Sequence, residues 1–245
     1  MKAELIDVMG DDLRVVNAAR VSFDKQSVWD KVETDIQAKW DFYEVVYDSF
    51  IQENVTKYYK YGQLSEKDTK LIRYLAKHGH FTPFTHPQIT MRETVPIFVA
   101  RQRFKHTVGF TYNEMSRRYV DDEPEFFEPV WRKRPDKSIK QGSGEAFDVP
   151  GQAYCWKIKT HAEEAALEAY KKLLDRGAAP EQARMVLPQS MYTSYYVTGS
   201  LAAWARAYNL REDRSKAQGE IADLAEQWNK IIFPLFPISW EALVI

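Results

Sequence analysis

The sequence predicts an α+β fold, a small antiparallel sheet flanked by several helices, and two observations carry that expectation. Two short segments far apart in the chain read as strands: residues 5–8, and residues 88–95, where apolar and polar residues alternate. Most of the rest reads as amphipathic stretches that open on capping residues and close on glycine or proline, which is how helices are punctuated. Few strands among many helices, with no internal repeat or low-complexity tract, place residues 1–245 in one α+β domain.

The elements follow in order. Leu5-Ile-Asp-Val8 is a strand ended by Met9-Gly10. Asp11 can cap a helix to about Arg20, with Leu13, Val16 and Ala19 or Arg20 on one side. Region 27–60 has helical amphipathicity, with Trp40, Phe42, Val45, Val46 and Phe50 as its apolar stripe. Ser65 caps a helix that turns Leu71, Ile72, Leu75 and Ala76 inward and stops at Gly79. Phe81-Thr-Pro-Phe-Thr-His-Pro87 is a turn-rich connector, and the strand after it sets Ile89, Met91 and Val95 against Gln88, Arg92 and Thr94. Pro96 starts a helix at its first turn, through about Phe104. Residues 105–113 read as a loop around Gly109, and about 121–150 as a long surface loop ordered in part by a ligand or a partner subunit. A long helix over about 151–176 is closed by Gly177, and Pro180 starts a short one that ends before Pro188. Two further helices cover about 201–210 and 215–232, and Pro234 and Pro237 mark the end.

Bulk properties exclude several classes. Net charge is −1 with 28% charged residues, so a bulk nucleic-acid binder is disfavoured and any positive field must be local. The single cysteine, Cys155, rules out a disulfide within the chain and any zinc site with two or more cysteines, and it fits a reducing cytoplasm. No signal-like or membrane-length apolar run is seen, so no membrane is expected. Aromatic residues make up 14% of the chain, which suits flat-ring stacking or large subunit interfaces.

The chemistry concentrates between Arg101 and Tyr119. Arg101, Arg103, Lys105, His106, Arg117 and Arg118 surround Tyr112-Asn113-Glu114. Arginine forks match phosphate oxygens, while the lone carboxylate of Glu114 suits a donor such as a ring N–H or a ribose hydroxyl. A solvated face, an ion-pair network or a nucleic-acid patch would also use many cations. Phe104, Val108, Phe110, Met115 and Tyr119, interleaved, argue that part of the segment is buried, which favours a phosphorylated ligand. No Gly-rich phosphate cradle and no nucleophile elbow occur. His78, His80 and His86 lie close together, but no fourth ligand is evident and no metal is expected. Cys155 has no activating neighbour nearby and reads as a packing residue.

These residues resemble a family, the flavin-dependent thymidylate synthases, whose signature is R-H-R, then seven or eight residues, then S-x-R. Here Lys105-His106-Thr107, eight residues, and Ser116-Arg117-Arg118 occupy that pattern. Flanking runs are similar too: Val8-Met-Gly-Asp-Asp-Leu13 with Ala18-Ala-Arg-Val-Ser-Phe23, His78-Gly-His-Phe-Thr-Pro-Phe-Thr-His86, Pro96-Ile-Phe-Val-Ala-Arg-Gln102, Tyr112-Asn-Glu-Met-Ser116, Ala183-Arg-Met-Val-Leu-Pro188 and Asn209-Leu-Arg211.

The resemblance implies the family's own fold, a homotetramer, and active sites built from several subunits around FAD. It implies reductive methylation of dUMP to dTMP, with NADPH reducing the flavin, methylenetetrahydrofolate giving the carbon, tetrahydrofolate leaving, and no cysteine attack. By position it assigns Arg211 the catalytic role of stabilising ionised uracil. It assigns dUMP contacts to Gln102, Arg103, Lys105, Glu114, Ser116, Arg117, Arg118, Arg184 and Arg211. It assigns FAD or folate contacts to Ser22, His80, Thr82, Lys105, His106, Thr107, Glu114, Ser200 and Arg206. Departures accompany the match. Lys105 and Thr107 replace arginines, Ser200 and Ala202 replace an Asn-x-Arg pair, and a family histidine falls near Ser215 or Lys216. Arg206, four residues after Ala202, is expected to restore the lost charge from the same helix face, with flavin held more loosely than usual. UMP in place of dUMP, or a hydroxymethyl product, would use the same fold. A non-enzymatic nucleic-acid binder using residues 101–118 is the reading from another class, and steep salt dependence would mark it.

Overall fold

The structure is a computed structural model that describes residues 1–30, 63–118, 123–135 and 142–244. The apolar stripe from Trp40 to Phe50 lies outside the described residues. The α+β expectation holds: one four-stranded antiparallel sheet is packed by helices.

Strands β1 (Lys2–Met9), β2 (Gln88–Pro96), β3 (Phe110–Glu114) and β4 (Tyr192–Ser200) lie in the order β1-β2-β4-β3. In β2 the alternation sends Ile89, Met91, Glu93 and Val95 inward, all with 0% exposure. The other face carries hydroxyls that pair across the register: Thr90 with Thr198 at 2.9 Å and Thr94 with Ser194 at 3.0 Å. A sheet with one apolar and one polar face must be covered on the first.

Eight α-helices are seen among the described residues: α1 (Asp12–Arg20), α2 (Glu66–Lys77), α3 (Ile97–Arg103), α4 (Val149–Asp175), α5 (Pro180–Ala183), α6 (Leu201–Asn209), α7 (Gly219–Leu235) and α8 (Pro237–Leu243). Asp11 and Ser65 cap α1 and α2 as their sequence positions imply, accepting from Arg14 N at 2.9 Å and Asp68 N at 3.1 Å. α2 stops at Gly79, whose φ of +69° allows His80 N to reach Leu75 O at 2.9 Å and Gly79 N to reach Ala76 O at 3.1 Å. That double bond satisfies carbonyls the helix end would otherwise orphan.

The apolar face is covered chiefly by α6 and α7, with α8 and α1 closing the far side. Trp204, Trp228, Trp240, Phe84 and Phe236 are the large side chains of this core, and burying each contributes roughly 2–3 kcal/mol. Trp204 also bonds Ile89 O at 3.2 Å, which seats α6 on β2. Asp12, buried inside α1, accepts from Ile238 N and Ser239 N at 2.9 Å each and so caps α8 from across the fold. Burial pushes its carboxyl up to about 6, against the pull of those bonds.

Two pieces stand apart from this core. α4 runs for 27 residues yet buries only Glu163 and Tyr170, against α5 and the Arg184–Val186 turn. Val149, Tyr154 and Ile158 on it are exposed. In the 121–150 segment, the described residues hold a short ladder: Lys133 N reaches Glu145 O at 2.8 Å and Phe147 N reaches Trp131 O at 3.0 Å. Arg132 ties that ladder to Glu220 of α7.

Several sequence expectations need correction. The segment read as a loop over 105–113 becomes β3 from Phe110 onward, with Phe110 and Tyr112 packed on the core and Thr111 and Asn113 turned out. β4 was not anticipated at all, although Tyr192-Thr-Ser-Tyr-Tyr-Val-Thr is rich in aromatic and β-branched residues. Pro96 closes β2 and precedes α3 as its N-cap instead of sitting in its first turn. The helix placed at 215–232 begins at Gly219 and passes through Pro234, and Pro237 opens α8 instead of ending the chain's structure.

Candidate functional site

The site begins in the turn between α3 and β3. Residues 105–109 leave α3 through His106 N to Arg103 O at 3.1 Å and enter β3 through Gly109. Gly109 has φ +79°, and a Cβ there would stand 2.9 Å from Ala203 Cβ. Only glycine lets the turn lie this close to α6. Ser200 N bonds Gly109 O at 3.3 Å, and Arg206 Nη2 bonds Val108 O. The turn is therefore sewn to both ends of α6.

His106 is the centre of this turn. It is 7% exposed, and its Nε2 accepts the Nε–H of Arg211 at 3.0 Å. An Nε2 that accepts leaves the ring proton on Nδ1. Burial lowers its pKa to about 4, helped by the cations Arg103, Arg211 and Arg206. The imidazole thus stays neutral wherever the protein is folded near neutrality. Arg211 follows α6, is half-buried, and has its own pKa lowered by burial. Among the described residues no carboxylate pairs with it, so its terminal nitrogens are available to a ligand.

Behind His106 lies a buried polar network. Arg103 Nε contacts Glu93 at 3.2 and 3.3 Å, and its Nη1 donates to Tyr112 Oη at 2.6 Å. Tyr112 in turn donates to His106 O at 2.7 Å, and Tyr195 donates to Glu93 at 2.6 Å. Burial raises the Tyr112 phenol to about 12 and carries Tyr195 well above its usual value, so both remain donors. Glu93 and Tyr195 are not part of the site that the sequence predicts, and Tyr112, which the sequence sets among its cations, takes the role of a buried relay. The signal for Glu93 was legible: a carboxylate on the apolar phase of β2 needs a buried partner.

The sequence-derived residues divide by location. Lys105 and Thr107 stand exposed on the turn. Gln102 donates to Gln218 Oε1 at 2.7 Å. Arg103, expected among nucleotide contacts, lies in the core at 0% exposure and does not share their surface. Ser200 is buried and caps α6 by accepting from Ala203 N at 3.3 Å. His80 and Thr82 are exposed beside the Thr82–Thr85 turn, which packs on α6, and the His80 ring stacks with Tyr74. Ser22 is exposed in the Val21–Phe23 turn.

Glu114, Ser116, Arg117 and Arg118 lie at or just past the far end of β3, about 14 Å along the strand from Phe110. Glu114 accepts from Thr193 at 2.6 Å, and Ser116 Oγ accepts from Arg118 Nε at 3.1 Å. Arg117 is half-buried beside them. Arg184 is exposed after α5, its Nε on Glu181 O at 3.2 Å. The chain therefore does not bring all the candidate cations into one cluster among the described residues. Among the described residues no group of three His, Cys, Asp or Glu side chains is arranged to hold a metal.

Comparison with known proteins completes the picture. A family model described as thymidylate synthase complementing protein matches residues 4–238. A flavin-dependent thymidylate synthase from Kosmotoga olearia is 34% identical over 240 residues, covering 98% of this chain and 88% of its own. One from Thermus thermophilus is 31% identical over 239 residues, covering 97% of this chain and 73% of its own. A crystal structure of a UMP/dUMP methylase, PolB, from Streptomyces cacaoi bound with 5-Br UMP superposes with a TM-score of 0.75 at 28% identity, covering 98% of this chain and 92% of that one.

Proposed function

We propose that this chain, which belongs to the thymidylate synthase complementing family and is a methyltransferase enzyme, methylates dUMP at C5 to give dTMP. The observation that carries the reading is the His106–Arg211 pair. A neutral imidazole holds Arg211 by Nε and leaves its terminal nitrogens to face an anionic ring. Such a fixed cation stabilises ionised uracil without reorganising, which is worth about 3–4 kcal/mol in comparable oxyanion sites.

The donors around the turn fit FAD, a ligand with a pyrophosphate and a flat polar ring. Lys105, His106, Thr107 and Arg206 stand at the turn, Ser200 backs it, and His80, Thr82 and Ser22 lie on exposed turns. Glu114, an acceptor at the other end of β3, would serve an N–H of a flavin held by a neighbouring subunit. When bound and reduced by NADPH, flavin supplies the hydride, and methylenetetrahydrofolate supplies the carbon and leaves as tetrahydrofolate. This chain's residues hold the partners. Gln102, Lys105, Ser116, Arg117, Arg118, Arg184 and Arg211 bind dUMP, and Ser116 serves as a binding hydroxyl, since no base adjoins it. No cysteine attacks the pyrimidine: Cys155 lies on α4, which packs against α5 and the Arg184–Val186 turn.

The separation of Ser116–Arg118 from the 105–109 turn supports a site completed by neighbouring subunits, and the sparsely buried α4 supports a homotetramer. On this reading residues 1–245 act as one domain in the cytoplasm, and the 121–150 segment covers the site or bridges subunits. No described helix is long and apolar enough to cross a membrane.

The test is an absorbance spectrum with added FAD, before and after anaerobic NADPH, with and without dUMP. Flavin that binds, bleaches with NADPH and shifts with dUMP supports the reading. No flavin binding at saturation, with salt-dependent oligonucleotide binding instead, overturns it. The likeness to a UMP/dUMP methylase favours UMP as a second substrate. Competition between UMP and dUMP, with product mass to tell methyl from hydroxymethyl, decides between them.

A further inference from the structure

Arg103 has an unusual setting for a cation. Its guanidinium carbon lies 4.4 Å from the Phe110 ring centroid, 4.7 Å from Trp228, 4.8 Å from Trp204 and 5.2 Å from Tyr112. One carboxylate, Glu93, opposes it, and its Nη2 finds no hydrogen-bond partner. A buried ion pair that leaves a donor unmet is poor value for stability, because apolar side chains of the same volume pack as well without desolvating charge. What the pair does supply is direction. Glu93 holds Nε, which aims Nη1 at the Tyr112 hydroxyl, which is aimed at the His106 carbonyl. His106 then presents Nε2 to Arg211.

We propose that Arg103 is a positioning residue, which acts through Tyr112 and the His106 main chain to orient the imidazole that holds the Arg211 guanidinium. It touches neither nucleotide nor flavin. It works in two ways at once. The Arg103–Tyr112 link fixes where the imidazole points. Its charge, a short step from the ring, opposes protonation of His106, which would abolish the acceptor that Arg211 uses. The charged and titratable groups around His106 are Arg103 from α3, Tyr112 from β3, and Arg206 and Arg211 from α6 and the turn after it. Three of the four are cations, and Arg103 is the one with no access to solvent to screen it.

The inference rests on Arg211 acting on the pyrimidine, so its test needs a readout that does not. His106 protonation and tautomer, followed by nitrogen and carbon NMR shifts across pH in the folded tetramer or protomer, provide one. Three variants are compared with the parent: Arg103→Met, Arg103→Lys and Tyr112→Phe. Arg103→Met is expected to raise the His106 pKa by about one unit or more. With flavin, NADPH and dUMP present, it is expected to lower kcat about tenfold or more while KM for dUMP changes little, the pattern of an interaction made in the transition state. Arg103→Lys, which keeps the charge and loses the fork, is expected to restore the titration and recover kcat only in part. Tyr112→Phe removes the relay hydroxyl and keeps the ring, so it is expected to lower kcat with the titration little changed, and it decides the matter if Arg103→Met does not fold. Folded variants with unchanged kcat and unchanged His106 titration would overturn the proposal. If the parent protein binds flavin but never turns over dUMP, the proposed reaction fails, and a raised His106 pKa in Arg103→Met would still uphold the link from Arg103 to His106.

Discussion

The two ends of β3 face the same task of holding a ligand, and the fold prepares them unequally. At the Phe110 end, Gly109 and Val108 fasten the 105–109 turn to the two ends of α6, His106 fastens it to Arg211 just after α6, and a buried network stands behind it. At the Glu114 end, Arg118 Nε bonds Ser116 Oγ on an exposed stretch, and Glu114 is exposed beside Thr193, with no buried network behind them among the described residues. One end is rigid before any ligand arrives. The other is a set of exposed and half-buried polar side chains whose order a ligand or another subunit would increase. Pre-organisation belongs where charge develops, because reorganising there during reaction would cost rate. Grip on a phosphate tolerates flexible arms.

That contrast is breakable. Arg211→Ala should give the largest effect: turnover of dUMP down by about 100–1000-fold with flavin still bound, measured by single-turnover flavin reoxidation. A small loss would mean the prepared end is not where the chemistry lies. The next test is stability against pH. His106 titrates near 6.5 unfolded and about 4 folded, so the folded state disfavours its proton. Stability from this group is therefore complete above pH 6.5 and is lost as pH falls toward 4, by at most about 3 kcal/mol. Denaturant unfolding at a series of pH values, with His106→Gln as the flat control, measures it. Arg118→Ala at the loose end, and Arg184→Ala after α5, should each raise KM for dUMP about tenfold, as loss of one charge-assisted contact does, without moving the unfolding midpoint. A drop in kcat instead would show that the loose end is also prepared. The smallest effect is expected from Ser200→Ala: about 1 kcal/mol of stability from the lost α6 cap, read by thermal unfolding, with a modest loss of flavin affinity as the turn loosens.

Much of the fold was legible because it rests on local chemistry. Asp11, Ser65 and Gly79 mark helix ends by what their own side chains and φ angles do, and the structure puts the ends there. β3 and β4 were missed for a shared reason. Each is defined by its partner across the sheet, and β3 spends its five residues between clusters of cations that drew attention to charge. Pro234 misled because a proline stops a helix only if its turn cannot bend around it, and here the last turn of α7 holds it buried. The candidate site was legible as a set of residue types but not as an arrangement. Nothing in the spacing of Arg103 distinguishes a core cation from a surface one. Only the inward phase of Glu93 on β2 hinted that a buried positive charge was needed.

The clamp of Asp12 on the start of α8 has a bearing on how this chain is made. Its carboxylate sits 226 residues before the first amide it serves. While a nascent chain emerges, that acid must wait in water, or protonated, until residues 238 and 239 have left the ribosome. Strand β1 waits as well, for the amide of Ala3 is met by Gln227. Folding of the first elements thus cannot be completed during synthesis of the middle of the chain. A truncated product lacking α8 should be visible to proteases at α1, however well its sheet is formed.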